Sequence, residues 1–560
     1  MKDPENPDQP VAAKGTGSFA EFLHSWRYFL WLLALVLIAA LLLAEENWRG
    51  EWAWDGYKKQ MAEHGDRIEL SAVIPPRVPD DQNFAMTPFL APLFDFLPGT
   101  QNWPGKRVAG NMNSFATFYD AAARDLNLPK TNRFSSWLKN RTDLPAWLVA
   151  FKIAADKEAH KQPSVVRSAG GTPRFQIPTN NPAHNAFESS QTNYSAAAAA
   201  QVVLDMLSET DPIFDELQSA SKLPSCRFNL DYEHEDPAAI LLPHLSVVKH
   251  LCQILELRVA AKLALAQTDQ AFQDVELSLY LTDAVRSEPF IISHLVRMAC
   301  LSLALQPFAE GIHHWSDAQL RTFEDHFSQF DFCLDARRAL KSERVWSSAI
   351  IDYVRGAPNK LDVLNGYLSG QNAGFTLGAV LLGVTPSGWF DLEKLNCCRL
   401  LDDNVLPTFD PQARRISPRA SRAGEAQVSK RTSGSMSGLY FRHLFFSRFL
   451  LPSESGLAQK AGLAQTGADC ASLACALELY CREFGRLPER LDELAPRFIA
   501  KIPHDVISGG PLHYRTADDG QYVLYSEGWN EVDDHGIIAK TAQRGEGEAV
   551  PSGDWVWRLP

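Results

Sequence analysis

Glu310, His313 and His314 bring a carboxylate and two imidazoles within five residues, types that together could hold a metal ion or move a proton. The spacing of the histidines argues against it, because two histidines on one helical face need three or four positions between them and these two are adjacent. His244 and His250 stand six apart and fail the same test. Glu233, His234, Glu235 and Asp236 form an acidic patch directly before Pro237, which reads as a helix start. No Gly-x-Ser-x-Gly elbow, phosphate loop, His-Glu-x-x-His or dinucleotide fingerprint occurs. The nine cysteines are scattered, and no pair has the two-residue spacing of a zinc or thioredoxin-like site. Several lie in apolar helical runs, where a free thiol acts as a small hydrophobe. Any catalytic set would have to be gathered from distant helices.

The element with the plainest physical meaning is the run Tyr28 to Ala44, seventeen residues without a charge. As a helix it covers roughly 25 Å, near the hydrocarbon thickness of a bilayer. Trp26, Tyr28 and Trp31 flank it on one side and Trp48 on the other, an interfacial aromatic belt. A cleaved signal peptide would need small residues before the cut, and a cut after Ala44 would leave Leu42 at the −3 position. An uncleaved single anchor is therefore expected. Basic residues nearly balance across it, Lys14 and Arg27 against Arg49, Lys58 and Lys59, while Glu45 and Glu46 follow it directly. The expectation is a short tail inside and the bulk of the chain outside, held in the cell inner membrane by one span.

With 560 residues, 45% hydrophobic and 22% charged, the chain can build two or three cores. Its net charge of −13 opposes the phosphate binding on which nucleic-acid affinity rests. The expected division is a tail over 1–27, an anchor over 28–44, a proline-rich and helical juxtamembrane region over 45–161 and a linker over 162–194. A helical-hairpin domain over 195–460 and a small α+β head and tail over 461–560 complete it. Within the middle, five alanines open a helix running through Leu207, and Leu245 to Ala266 is apolar nearly all round. Asp269 restarts a helix with Ala271, Val275 and Leu279 on one face, and Ser316 is a good N-cap for the next hairpin. No fixed repeat period emerges, so an irregular stack of hairpins is expected. Asp410 to Gly438, with its six arginines and lysines among Ser, Gly and Pro, reads as a solvated loop. The fold class is mainly α.

The C-terminal block begins with a helix over Ala468 to Phe484, followed by Gly-Arg-Leu-Pro, the Pro503-His504-Asp505 turn and Gly510-Pro511-Leu512. Alternating stretches Leu512 to Thr516 and Gln521 to Ser526 then flank Asp518-Asp519-Gly520, a hairpin signal, and Leu524-Tyr525-Ser526 leads into an acidic loop. This order resembles the globular head of type II secretion major pseudopilins, over roughly Ala468 to Gly536. The resemblance implies a calcium ion in the acidic loop, and the matching positions are Asn530, Asp533 and Asp534, with carbonyls from Ser526 to Gly528 as further oxygens. Calcium favours six to eight hard oxygens, which a loop can supply. The same residues also read as an ordinary capped acidic turn. The chain departs from that family in lacking its cleavage motif, and about four hundred residues separate anchor and head. It also resembles a family of uncharacterised membrane-anchored bacterial proteins that share the segment DDQNFAMTPFLAPLF and a helical middle.

These readings lead to a membrane-tethered extracytoplasmic interaction or scaffold protein with a protein partner, linked to secretion or envelope assembly. The alternative is a membrane-anchored hydrolase whose residues are dispersed over the helical domain.

Overall fold

The computed structural model describes residues 19–96, 119, 141–160, 195–368, 385–451, 456–517, 520–537 and 553–559. The expected linker over 162–194 lies outside them. The chain is mainly helical and divides into two compact units, Met1–Asp66 with Val354–Leu395, and Arg67–Tyr353 with Asn396–Pro560.

The first unit is built on one helix of 45 residues, Phe19–Glu63. At about 1.5 Å per residue it is long enough to cover a bilayer core and continue well past it. Every large apolar side chain from Tyr28 to Leu43 is exposed. Packing starts where that run stops. Trp389 Nε1 donates to Glu46 Oε2 at 3.1 Å, and the Gly388 amide donates to Asn47 Oδ1 at 3.0 Å. Gly50 and Gly388 let two helical backbones touch, since a Cβ on Gly50 would sit 2.0 Å from the Gly388 carbonyl oxygen. One turn on, the Lys394 ammonium lies 4.8 Å from the centre of the Trp54 ring and pairs with Asp391 at 2.8 Å.

The second unit stacks helical hairpins. Ser195 caps helix Ala196–Leu207 by accepting the Ala198 amide, and a restart at Pro212 gives Asp211–Ala220. Helix Pro243–Ala264 is buried nearly all round and pairs with Thr268–Ala284, whose Ala271, Val275 and Leu279 are fully buried. Helix Ile291–Glu310 packs on both, and Ser316 with Gln319 forms a capping box that opens Asp317–Ser328. The proline-rich segment runs over this stack in short 3-10 turns, burying Phe84 against the Tyr280 ring at 4.8 Å and Leu90 and Leu93 beside it.

One finding corrects the sequence reading and another extends it. The basic stretch Asp410 to Gly438 is not a solvated loop: it contains the short ladder Phe409–Asp410 with Arg415–Ile416 and the helix Pro418–Arg431, capped by Ser417 with proline at its first position. The aromatic tail is also structured, because Trp555–Trp557 adds a third antiparallel strand to the expected hairpin of His513–Thr516 with Tyr522–Ser526. Helix Leu457–Phe484 ends at Gly485, which adopts the left-handed conformation at φ 67°. It crosses position 460, and one hydrophobic core joins Phe308, Phe323 and Phe327 of the hairpins to Leu473, Leu524 and Trp557.

Candidate functional site

The acidic loop after the second strand brings together two of the three expected ligands. Asn530 Nδ2 donates to Asp534 Oδ2 at 2.9 Å. Asp533 faces a different set of partners: its Oδ1 accepts the His535 amide at 2.8 Å, and its Oδ2 lies 3.8 Å from His513 Nδ1 and 3.6 Å from His535 Nδ1. The bond from the His535 amide, with the two imidazoles, holds the Asp533 carboxyl below its ordinary range. The loop is closed by two buried carboxylates, Asp554, which the sequence did not single out, and Asp505 of the Pro503-His504-Asp505 turn. Asp554 accepts the amides of Asp534 at 3.1 Å and Gly536 at 2.7 Å, while Asp505 accepts Ser526 Oγ at 2.8 Å and the Ile507 amide at 2.9 Å. The third strand delivers Asp554, and burial pushes its carboxyl up. Among the described residues, no three His, Cys, Asp or Glu side chains gather as a metal-binding group.

The other candidates resolve into structural roles. Glu310 accepts the Thr142 amide at 2.9 Å, its hydroxyl at 2.7 Å and Gln306 Nε2 at 2.7 Å. His313 instead meets Glu478 at 3.0 Å, and His314 is exposed. Asp236 Oδ1 accepts the Ala238 amide, so the acidic patch ends in the cap of the short turn Pro237–Ala239.

Burial exposes centres that no spacing rule reveals. His244 is stacked on Phe228 at 4.2 Å, with Nε2 2.7 Å from Glu288 Oε1; Ser293 Oγ donates to Glu288 Oε2 at 2.5 Å. His244, Glu288, Ser293 and His294 are at most 4% exposed, which seals this acid, imidazole and hydroxyl set from substrate. Burial, with the nearby Arg297, pushes the His294 imidazole down to about 4. Arg297 itself is fully buried between Asp283 at 2.5 Å and Asp335 at 2.8 Å, with its guanidinium 4.5 Å from the Phe332 ring centre. Asp274 likewise pairs Lys262 at 2.6 Å and Arg258 at 3.1 Å.

What does open to a ligand is a cavity of about 320 Å³ in the second unit. Its apolar floor includes Leu340, Phe409, Leu457 and Ala458, and its rim carries Ser421 and Glu425 of helix Pro418–Arg431. A π-helical turn, Leu401–Val405, forms one wall, and Gly424 lets the helix press on it: a Cβ there would lie 1.9 Å from the Asn404 carbonyl oxygen. Such volumes sit at the small end of ligand pockets, about 300–1,000 Å³. No histidine lines it. No family model, curated protein or solved structure matches the chain.

Proposed function

We propose that the chain is a single-pass, membrane-tethered protein whose bulk lies outside the cytoplasm and serves as an interaction or scaffold body rather than an enzyme. The observation that carries this reading is the contrast within helix Phe19–Glu63. Its apolar window has a mean hydropathy of 2.4 and is 0% buried, and it gives way at Glu46 to a tightly docked segment. An apolar run of that length left bare needs lipid or another apolar partner.

The non-catalytic half of the proposal is supported by chemistry. The acid, imidazole and hydroxyl set around Glu288 is sealed, and the open cavity is apolar with one carboxylate at its rim. The pseudopilin-like order of the C-terminal block favours a role in secretion or envelope assembly, with a protein partner for the helical body. A reporter active only in the cytoplasm, fused after Pro560, is expected to stay silent while one active only outside is expected to signal. The reverse pattern would overturn the orientation. Affinity capture of the full chain from detergent extract, followed by loss of the captured protein on competition with purified chain, tests the scaffold role. Turnover of ester or peptide substrates by the purified chain would restore the hydrolase alternative.

A further inference from the structure

We infer that the cavity between helix Pro418–Arg431 and the start of helix Leu457–Phe484 is a binding site for a small apolar molecule carrying a cationic amine. This inference is independent of the anchor and of the scaffold reading. Three observations carry it. A cavity of about 320 Å³ opens between elements that elsewhere press their backbones together, as Gly424 does on Asn404. Protein interiors are close-packed, and a mostly apolar hollow of this size offers dispersion contacts that a ligand would gain.

The second observation is charge. Glu425 is the one charged side chain lining the cavity. It accepts Ser421 Oγ at 3.2 Å and has no cationic partner among the described residues. The neighbouring cations are committed elsewhere: Arg422 pairs with Glu531 at 2.7 Å and bonds the Trp529 carbonyl, and Arg448 donates to the Thr432 carbonyl at 3.0 Å.

The third is layout. Glu425 is exposed on the helix face, whereas Leu340, Phe409, Leu457 and Ala458 are buried below. A ligand entering would place its apolar body on the floor and leave its polar end at the carboxylate. An ammonium there gains a charge-assisted hydrogen bond, a hydroxyl a weaker one, and a carboxylate is repelled.

The test is ligand-detected NMR on the full chain in lipid nanodiscs, with empty nanodiscs as the blank. The probes are 2-phenylethylammonium, 2-phenylethanol and 3-phenylpropanoate, which share a body and differ in head-group charge. The expected order is ammonium, alcohol, carboxylate, with the ammonium about fourfold tighter than the alcohol, as an exposed carboxylate allows. Glu425→Gln is expected to bring the two within twofold without weakening the alcohol. Val428→Trp, which fills the cavity from its rim helix, is expected to abolish all protein-dependent signal. A normal melting temperature for both variants confirms that each is folded. Absence of binding by every probe, equal binding of ammonium and carboxylate, or signal that survives Val428→Trp in folded protein would each overturn the assignment.

Discussion

Helix Phe19–Glu63 and helix Ile291–Glu310 both contain stretches long and apolar enough to cross a membrane, with mean hydropathies of 2.4 and 1.4 over their best windows. The first window is 0% buried and the second 78%. What separates them is charge. Tyr28 to Ala44 has no ionisable group except the Tyr28 phenol, and its large apolar side chains are exposed. The second helix carries Arg297 and Glu310, each answered by protein: Asp283 and Asp335 for the arginine, Thr142 and Gln306 for the glutamate. Hydropathy alone treats the two as alike. A buried charge is tolerable only where partners are fixed in place, so it marks a helix for a protein interior, while a run without charge is free to face lipid.

The sharpest way to break this contrast is to remove the charge from the protein-facing helix. Arg297→Met takes the buried cation from Asp283 and from Asp335, which is 2% exposed and keeps Arg286 at 3.1 Å, and is expected to cost about 3 kcal/mol, read as a lowered denaturant midpoint. Little change would mean that the arginine does not specify the interior position of this helix.

A second probe uses His294 on the same helix. With its imidazole pushed down to about 4 by burial, the folded chain stays neutral at His294 where the unfolded chain takes up a proton near its ordinary 6.5. The His294 contribution is therefore present above about pH 6.5 and lost as pH falls toward 4, by about 3 kcal/mol across the window. The difference in unfolding free energy between the native chain and His294→Gln isolates it from other titrating groups. A difference that does not vary with pH would show that the imidazole is solvated.

The converse substitution, Leu37→Arg, is expected to cost about 2.5–3.5 kcal/mol of membrane insertion while moving the denaturant midpoint of the helical stack by less than about 0.5 kcal/mol. Equal damage to both would erase the distinction. The smallest effect belongs to the surface pair of His313 and Glu478. The Glu478 bond raises His313, so its contribution is present below about pH 6.5 and lost as pH rises through the raised value. Burial pulls Glu478 up, but bonds from His313 and Arg482 leave it lowered, so its contribution is lost as pH falls below about 4.5. His313→Gln is expected to change stability by less than about 1 kcal/mol between those limits, because the imidazole is half exposed. A larger loss would make this surface contact comparable with the buried ones.

Legibility in the sequence followed the range of the interactions. The hairpin helices were readable because their signals are local: five alanines after Ser195, Ser316 with Gln319, and the face of Ala271, Val275 and Leu279. Helix Pro418–Arg431 was missed because its charges outweighed a cap signal present in Ser417-Pro418, and because its inward face of Ser421, Gly424 and Val428 is small rather than strongly apolar. The strand Trp555–Trp557 is too short to show alternation. The partner of His244 lies forty-four positions away at Glu288, and the cavity is assembled from segments between Leu340 and Ala458, so no spacing rule reaches either. In the acidic loop the residue types were legible, but the amide bonds from Asp534 and Gly536 to Asp554 were not, since they depend on the third strand.

The central claim is that the bare run from Tyr28 to Ala44 is an integral membrane anchor. Alkaline carbonate extraction of membranes from cells expressing the full chain tests it most directly. The chain is expected to stay in the membrane pellet and to move to the supernatant when Leu33 and Leu37 are both replaced by arginine. Recovery of the native chain in the carbonate supernatant, or as a product beginning after Ala44, would contradict the account.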